Sequence, residues 1–377
     1  MTLPSGPALC RVLPPFSLST WLGRSLRMGL FSGTESLAGL DLGSSAVKAV
    51  ERRRVRAGFE LGRAGLEPLE PGAVAEGAIE DAGSVSAAIR RVFSRSRIRA
   101  RRVATSVSGH SVIVKKLTLP AMSREELEES ILWEARQVIP FDLSDVHLDH
   151  QVLASAPGRE DTRVLLVAAR RERVESRLEA IAGAGLSPVI VDVDGFALQN
   201  AYDANYGSDA AVTAALLHIG AAVTNVVVTR GGVPLFTRDV SAGGHQLTEL
   251  LQRQLGMGFE EAERMKKESP VEALEAGPSG ALLQSATEAL LLEIRKTLDL
   301  FEAAGEGESI QRVYVSGGCS ELAGLMERLQ SGLDLPLEPL DPFKSIAVGR
   351  GVEEESLYRQ APSLAVAVGL ALRGFHD

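Results

Sequence analysis

Asp41, Gly43, Ser44, Ser45 and Lys48 fall within eight residues, between two short apolar runs. Those residue types at that spacing suit a phosphate. A tight bend of small residues lets backbone N–H groups approach phosphate oxygens, and the serine hydroxyls add donors. Lys48 supplies a point charge for the outer phosphates. Asp41 can hold Mg²⁺ through water, because that ion gives up its hydration shell reluctantly. The competing reading is a plain hairpin with a solvated lysine.

A second bend of the same shape stands at His218–Asn225, where Gly220, Ala221, Ala222 and Thr224 are small enough for the same role. His218 occupies the position at which symmetry with Asp41 expects a carboxylate. A neutral imidazole is a poor ligand for a hard cation, so His218 reads as a buried histidine bonded to a neighbouring carbonyl. Gly243-Gly244 precedes a helix pattern, and Ser316-Gly317-Gly318-Cys319 follows the apolar run "VYV". Paired glycines leave a flat backbone on which a base or ribose can lie. Glu263 and Lys266, at i and i+3 of one helix, form either a solvated ion pair or the rim of a nucleotide site.

The elements that must position these residues are legible in the hydrophobic pattern. Leu37–Val50 reads as strand, turn, strand, and residues 214–240 read as three strands. A short helix is expected over 84–93, a buried strand over 103–109, a helix after Gly244 and a long helix over about 282–303. From about 110 to 192 the pattern becomes β-α-β-β-α-β, a ferredoxin-like order. Its first helix opens on a capping box, Ser123 with Glu126, and stops before Pro140. The last helix, "SLAVAVGLALR", is almost wholly apolar and must be buried. Two hairpins of one shape in two halves suggest an internal duplication.

The bulk numbers set bounds. A chain of 377 residues suits about two domains. The formal net charge of −9 makes nucleic acid an unexpected partner. Cys10 and Cys319 are far apart, so a disulfide framework is not expected and a reducing compartment fits. No stretch approaches the roughly 20 apolar residues of a membrane span. Residues 1–34 read as a disordered extension, and Met28 of "MGLFSG" looks like a natural start.

The order of the motifs carries a resemblance. Phosphate hairpin, connecting helix, second hairpin, glycine pair and terminal apolar helix together resemble the actin/sugar-kinase/Hsp70 superfamily. The inserted α+β unit narrows this to FtsA and to the PilM family, actin-like proteins of type IV pilus assembly. "MGLFSG" with "LAGLDLGSSAVKAVE", "VDVDGFALQNAY" (191–202), "FTRDVSAGGHQLT" (236–248), "GFEEAERMKK" (258–267), "VSGGCSELAGL" (315–325) and "LDPFKSIAVG" (340–349) are similar to PilM blocks from about Met28 onward.

The resemblance implies an α/β actin-like ATPase fold of two ribonuclease-H-like halves. Residues 35–109 and 191–210 would form the first half and 110–190 the insertion. Residues 211–377 would form the second half, with a helical subdomain at about 247–308. It further implies ATP with Mg²⁺, bound by the residues named above with Asp41 on the metal. The implied protein is a cytoplasmic scaffold on the inner face of the inner membrane. It would bind the N-terminal peptide of a PilN-like bitopic protein in a groove beside the insertion, communicate with the pilus motor ATPases, and have scope for homo-oligomers. His218 departs from the acid many relatives carry, which bears on turnover more than on ATP binding.

Other readings remain open at this point. A sugar or acyl kinase of the same superfold needs an acid near the phosphates. Asp192 and Asp194 are the carboxylates placed for that, and they read as residues linking the halves. An FtsA-like filament former would end in an amphipathic membrane helix, whereas this sequence stops at "GLALRGFHD". Residues Ala82–Arg124 hold many arginines and no Asp or Glu, which reads as a solvated surface or a contact for anionic lipid or an acidic partner. "DVHLDH" (145–150) has metal-like spacing, but alternate strand residues face opposite ways. Cys319 reads as a small buried residue.

Overall fold

The protein is described by a computed structural model covering residues 36–55, 58–153, 161–268, 278–304, 308–349 and 352–373. The extension at 1–34, with "MGLFSG", lies outside the described residues.

The first half opens with a meander: β1 (Leu37–Leu42), β2 (Ala46–Val55) and β3 (Gly58–Pro68). A two-stranded ribbon, β4 (Val74–Ala75) and β5 (Ala78–Ile79), leads to α1 (Ala82–Arg95). Asp81 caps α1 by accepting from the Ser84 N–H at 2.9 Å. Val85, Ala88, Ile89 and Val92 recur at helical spacing and bury one face of α1 in the first-half core. β6 (Arg102–Val107) then runs parallel to β1.

The insertion follows: β7 (Val112–Pro120), α2 (Arg124–Val138), β8 (Val146–Leu153) and β9 (Asp161–Arg170). The expected capping box is present, with Ser123 and Glu126 each accepting from the other's backbone N–H. Leu127, Ile131 and Ala135 of α2 pack on the sheet β7-β9-β8.

α3 (Arg171–Gly183) and β10 (Ser187–Val193) come next in the expected order, but they lie elsewhere. β10 pairs parallel with β6, and α3 packs on α1, so both belong to the first-half layers rather than to the inserted sheet. The near-continuous apolar run Val189–Val193, interrupted only by Asp192, suits a strand covered on both faces. The insertion is therefore three-stranded, and its end lies near Arg170 rather than at 190.

α4 (Asp194–Tyr206) crosses to the second half, where β11 (Thr213–Ile219), β12 (Thr224–Arg230) and β13 (Val233–Val240) form another meander. Helices α5 (Gly244–Leu255), α6 (Phe259–Glu268) and α7 (Pro278–Ala303) precede β14 (Arg312–Ser316), α8 (Leu325–Leu333) and β15 (Leu337–Pro339). The two main sheets have one topology. β3-β2-β1-β6-β10 and β13-β12-β11-β14-β15 match strand for strand, with two antiparallel and two parallel pairings each. The duplication is thus present in the architecture.

The chain does not finish in the second half. β16 (Ala347–Val348) adds to the outer edge of β3, and α9 (Glu354–Leu372) packs against β1, β2 and α4. The apolar last helix is buried as expected, but the half it covers is the first. Helices α4 and α9 cross where Gly369 meets Ala197. A Cβ at Gly369 would lie 1.7 Å from the Ala197 carbonyl oxygen, so only glycine permits this approach.

Candidate functional site

The two expected hairpins face each other across one cleft, lined by Asp41, Gly43, Ser44, Ser45 and Lys48 from the β1–β2 side and by Gly220, Ala221 and Ala222 from the β11–β12 side. Their bends are built alike. The Gly43 N–H donates to Ala46 O at 3.2 Å, and the Gly220 N–H donates to Val223 O at 3.0 Å. Register places Asp41 opposite Lys48 and His218 opposite Asn225. Asp41 and Lys48 form an ion pair of 3.0 Å, both largely shielded from water.

Thr224 is the exception among the hairpin residues. It is fully buried, and its hydroxyl donates to Ala242 O at 2.7 Å, so it braces the bend from behind. His218 is buried, as read from sequence, with a hydroxyl rather than a carbonyl as its neighbour. Its Nδ1 lies 3.0 Å from Ser316 Oγ. Burial, reinforced by the nearby Lys48 charge, pushes the imidazole down to about 4. It is therefore neutral at ordinary pH.

Ser108 and Arg177, which the sequence reading missed, also line this cleft, together with Asn225 at the end of the second bend and Asp194, which by sequence reads as a residue linking the halves. Asp194 begins α4, and its charge is felt by His218 and Arg177. Its neighbour Asp192, expected to link the halves, joins two elements of the first-half layers instead. Asp192 is buried in a bidentate pair with Arg373 that ties β10 to the end of α9. Asp194 instead faces the cleft. Arg177 had a visible signal, because with Val174 and Ile181 it falls on the buried face of α3 at i, i+3 and i+7.

A smaller crevice of about 20 Å³ lies beside Gly243, Gly244, Leu247, Leu290, Cys319 and Leu322. Its wall is bonded to the second bend through the Gly220 carbonyl. That carbonyl accepts from the Gly244 N–H at 3.1 Å and from the Cys319 thiol at 3.1 Å, while His245 N–H reaches Ala221 O at 2.7 Å. A Cβ on Gly243 would lie 2.5 Å from the same oxygen. Gly317, at φ +94, sits against the end of β11, where a Cβ would fall 2.3 Å from Ile219 O. Ser316 is buried on His218, and Gly318 packs toward Ser363, so neither lines the crevice. Burial raises the Cys319 thiol, which makes it a packing residue.

Glu263 and Lys266 are neither a solvated pair nor an open rim. The Lys266 ammonium is buried and donates to Gly244 O at 3.1 Å, to Thr248 Oγ1 at 2.8 Å and to Glu263. Burial works against the Glu263 carboxylate, but hydrogen bonds from Lys266 and Thr248 prevail and hold it at about 2. The network clips α6 to the start of α5 and so fixes the crevice wall.

The cavity between the hairpins measures about 50 Å³. That is room for one or two waters, so a triphosphate enters only if Lys48 swings from Asp41 or the halves part. Among the described residues no group of three metal-ligating side chains exists. Asp41 and Asp194 nonetheless fit a Mg²⁺ held by phosphates, water and one or two carboxylates. His147 of "DVHLDH" lies 3.4 Å from Arg171 and belongs to no metal cluster among those residues.

A second concavity, about 600 Å³, lies between the insertion and the second half. Its walls are β7 (Val112–Lys116) and β13 (Pro234–Asp239), each the outermost strand of its sheet, and Val193 lies between them. Its end is pinned across the halves. The Gly109 N–H donates to Asp239 at 2.6 Å, and His110 Nε2 lies 2.8 Å from Ser241 Oγ.

A family model described as "Type IV pilus assembly protein PilM" matches residues 39–375. The chain belongs to the PilM family. It is 32% identical to a chain of the "PilM-PilN type IV pilus biogenesis complex", covering 90% of this chain and 99% of that one, with a TM-score of 0.81. The ethanolamine utilization protein EutJ from Carboxydothermus hydrogenoformans matches at 17% identity over 91% of each chain and a TM-score of 0.55. A diol dehydratase-reactivating factor in nucleotide-free form matches at 11% identity over 90% of this chain and 99% of its own, TM-score 0.51. These last two share the fold alone. As a PilM-family chain with an actin-like ATPase fold, this is a type IV pilus assembly protein. Among the described residues no helix is long and apolar enough to cross a membrane.

Proposed function

We propose that this PilM-family protein is an ATP-binding scaffold that docks the N-terminal peptide of a PilN-like membrane protein and thereby sits at the inner-membrane face of the pilus assembly platform. The observation that carries the reading is the likeness, over nearly the whole of both chains, to a chain from a PilM–PilN complex. The paired hairpins support the nucleotide. Ser44, Ser45, Ala221 and Ala222 at the tips of the bends would present backbone N–H groups, the two serines their hydroxyls as well, and Lys48 a charge. Asp41 and Asp194 would hold Mg²⁺ through water, where the ion would screen the triphosphate charge. The crevice at Gly243, Gly244 and Cys319, about 20 Å³ as it stands, would widen to take the adenosine end as the halves part.

The groove suits an extended peptide. Two outermost strands offer unpaired backbone groups, and Val114, Leu165 and Leu235 offer apolar contact. Lys115, Lys116 and Arg238 make its rim basic.

The test is titration calorimetry with Mg-ATP and with a PilN-like N-terminal peptide. Lys48→Ala is expected to weaken ATP at least tenfold and to leave the peptide's binding in place. Val114→Arg is expected to do the reverse. Wild-type protein that bound neither ligand would end the reading.

A further inference from the structure

We propose that Arg177 reads the terminal phosphate of the nucleotide, as a second cation of the cleft opposite Lys48. The proposal rests on the nucleotide reading above and adds to it a residue that distinguishes tri- from diphosphate.

Arg177 projects from the middle of α3 and is 3% exposed. Its Nη1 donates to Leu42 O, in the first hairpin, at 3.1 Å. Its Nη2 donates to Gly77 O, in the β4–β5 turn, at 3.3 Å. Its Nε is buried with no hydrogen-bond partner. Among the described residues no carboxylate comes within ion-pairing distance; the charges of Asp194 and Asp41 are felt from further off, and Asp41 is already paired with Lys48. Two carbonyl bonds need only a neutral amide. A guanidinium in that place carries a buried charge with no carboxylate paired to it among the described residues, which is costly unless an anion joins it. A planar fork of donors is also the shape that suits a phosphoryl group.

Position selects the phosphate. The crevice proposed for adenosine is built from the second half, at Gly243, Gly244 and Cys319. Arg177 lines the cleft with Gly77, Ser108 and Asp194, all from outside the second half, and is bonded to the first hairpin at Leu42 O. A nucleotide with its base in the crevice points its outermost phosphate at that group. The inner phosphates stay between the bends.

The test measures ATP and ADP binding by titration calorimetry on the full chain for wild type, Arg177→Gln and Arg177→Lys, with melting temperatures alongside. The expected result is an ATP affinity lowered about tenfold or more in Arg177→Gln and an ADP affinity within about threefold of wild type. Arg177→Lys keeps a charge but loses the fork, so it is expected to fall between them. ADP binding serves as the control for folding. Equal loss of both nucleotides, or loss of neither, overturns the proposal while the nucleotide reading stands. A wild-type protein that bound neither nucleotide would overturn both.

Discussion

His218 holds in the second half the place that Asp41 holds in the first. Each lies two residues before the glycine that closes its bend, and each is paired across its hairpin, with Asn225 and Lys48 respectively. The backbone repeats and the chemistry does not, since one site is an anion and the other a neutral ring. A second carboxylate would give the cleft another place to hold metal or orient water. His218→Asp is therefore expected to raise phosphate release from Mg-ATP about tenfold over wild type. An unchanged rate in a folded, ATP-binding variant would show that the ring is not what limits turnover.

The Glu263–Lys266–Thr248 network makes a stability claim. Removing the buried partner of an ion pair costs about 3 kcal/mol, and Glu263 then keeps only the exposed Lys267, at 3.0 Å, as counter-ion. Lys266→Met is expected to cost that much in chemical denaturation. The double variant Glu263→Gln/Lys266→Met is expected to recover at least half, because no charge is left stranded. Glu263 is held below its unfolded value, so its contribution is present above about pH 4.5 and is lost as pH falls through about 2. A double-variant loss equal to the sum of the losses in Lys266→Met and Glu263→Gln alone would contradict the coupling.

Asp203 works in the opposite sense. Burial pushes it up to about 7, against the hydrogen bond from Gln199. Below its unfolded value both states are protonated. As pH rises above about 4 the unfolded chain ionises first, so stability falls until about pH 7, where the folded group ionises too. Asp203→Asn is expected to stabilise by about 2 kcal/mol more at pH 8 than at pH 5. Calorimetric melting at the two pH values decides, and a gain that does not depend on pH would refute the assignment.

The α4–α9 crossing leaves no space at Gly369. A methyl group there collides with the Ala197 carbonyl. Gly369→Ala is expected to destabilise by about 2–3 kcal/mol, the usual cost of overpacking. Gly258→Ala, where no atom lies within 4 Å of the added carbon, is the matched control. Equal melting temperatures for the two variants would mean that the crossing yields easily.

What could be read from sequence followed from local spacing. Asp41 to Lys48 and His218 to Asn225 are contiguous, so residue type alone outlines both bends. The capping box at Ser123 is local in the same way. Sheet membership is not local. α3 and β10 occur in the expected order, yet β10 joins β6, because adjacency in a sheet depends on which apolar faces meet. The cleft side chains that went unnoticed, Ser108 just after β6 and Arg177 in α3, are far apart in sequence, and Asp194, read as a link between the halves, faces the cleft from the start of α4. Only the fold brings them together. Thr224 and Ser316 were the reverse case, with suitable types in suitable places whose hydroxyls serve the scaffold instead.

The long groove has a further implication. Both of its walls are strands that end their sheets, and an open strand margin accepts almost any extended polypeptide, another copy of the same molecule included. Made in excess of whatever fills that slot, the protein is expected to expose both margins to other copies of itself. The ratio at which a cell supplies the two components is then a question of solubility as much as of construction.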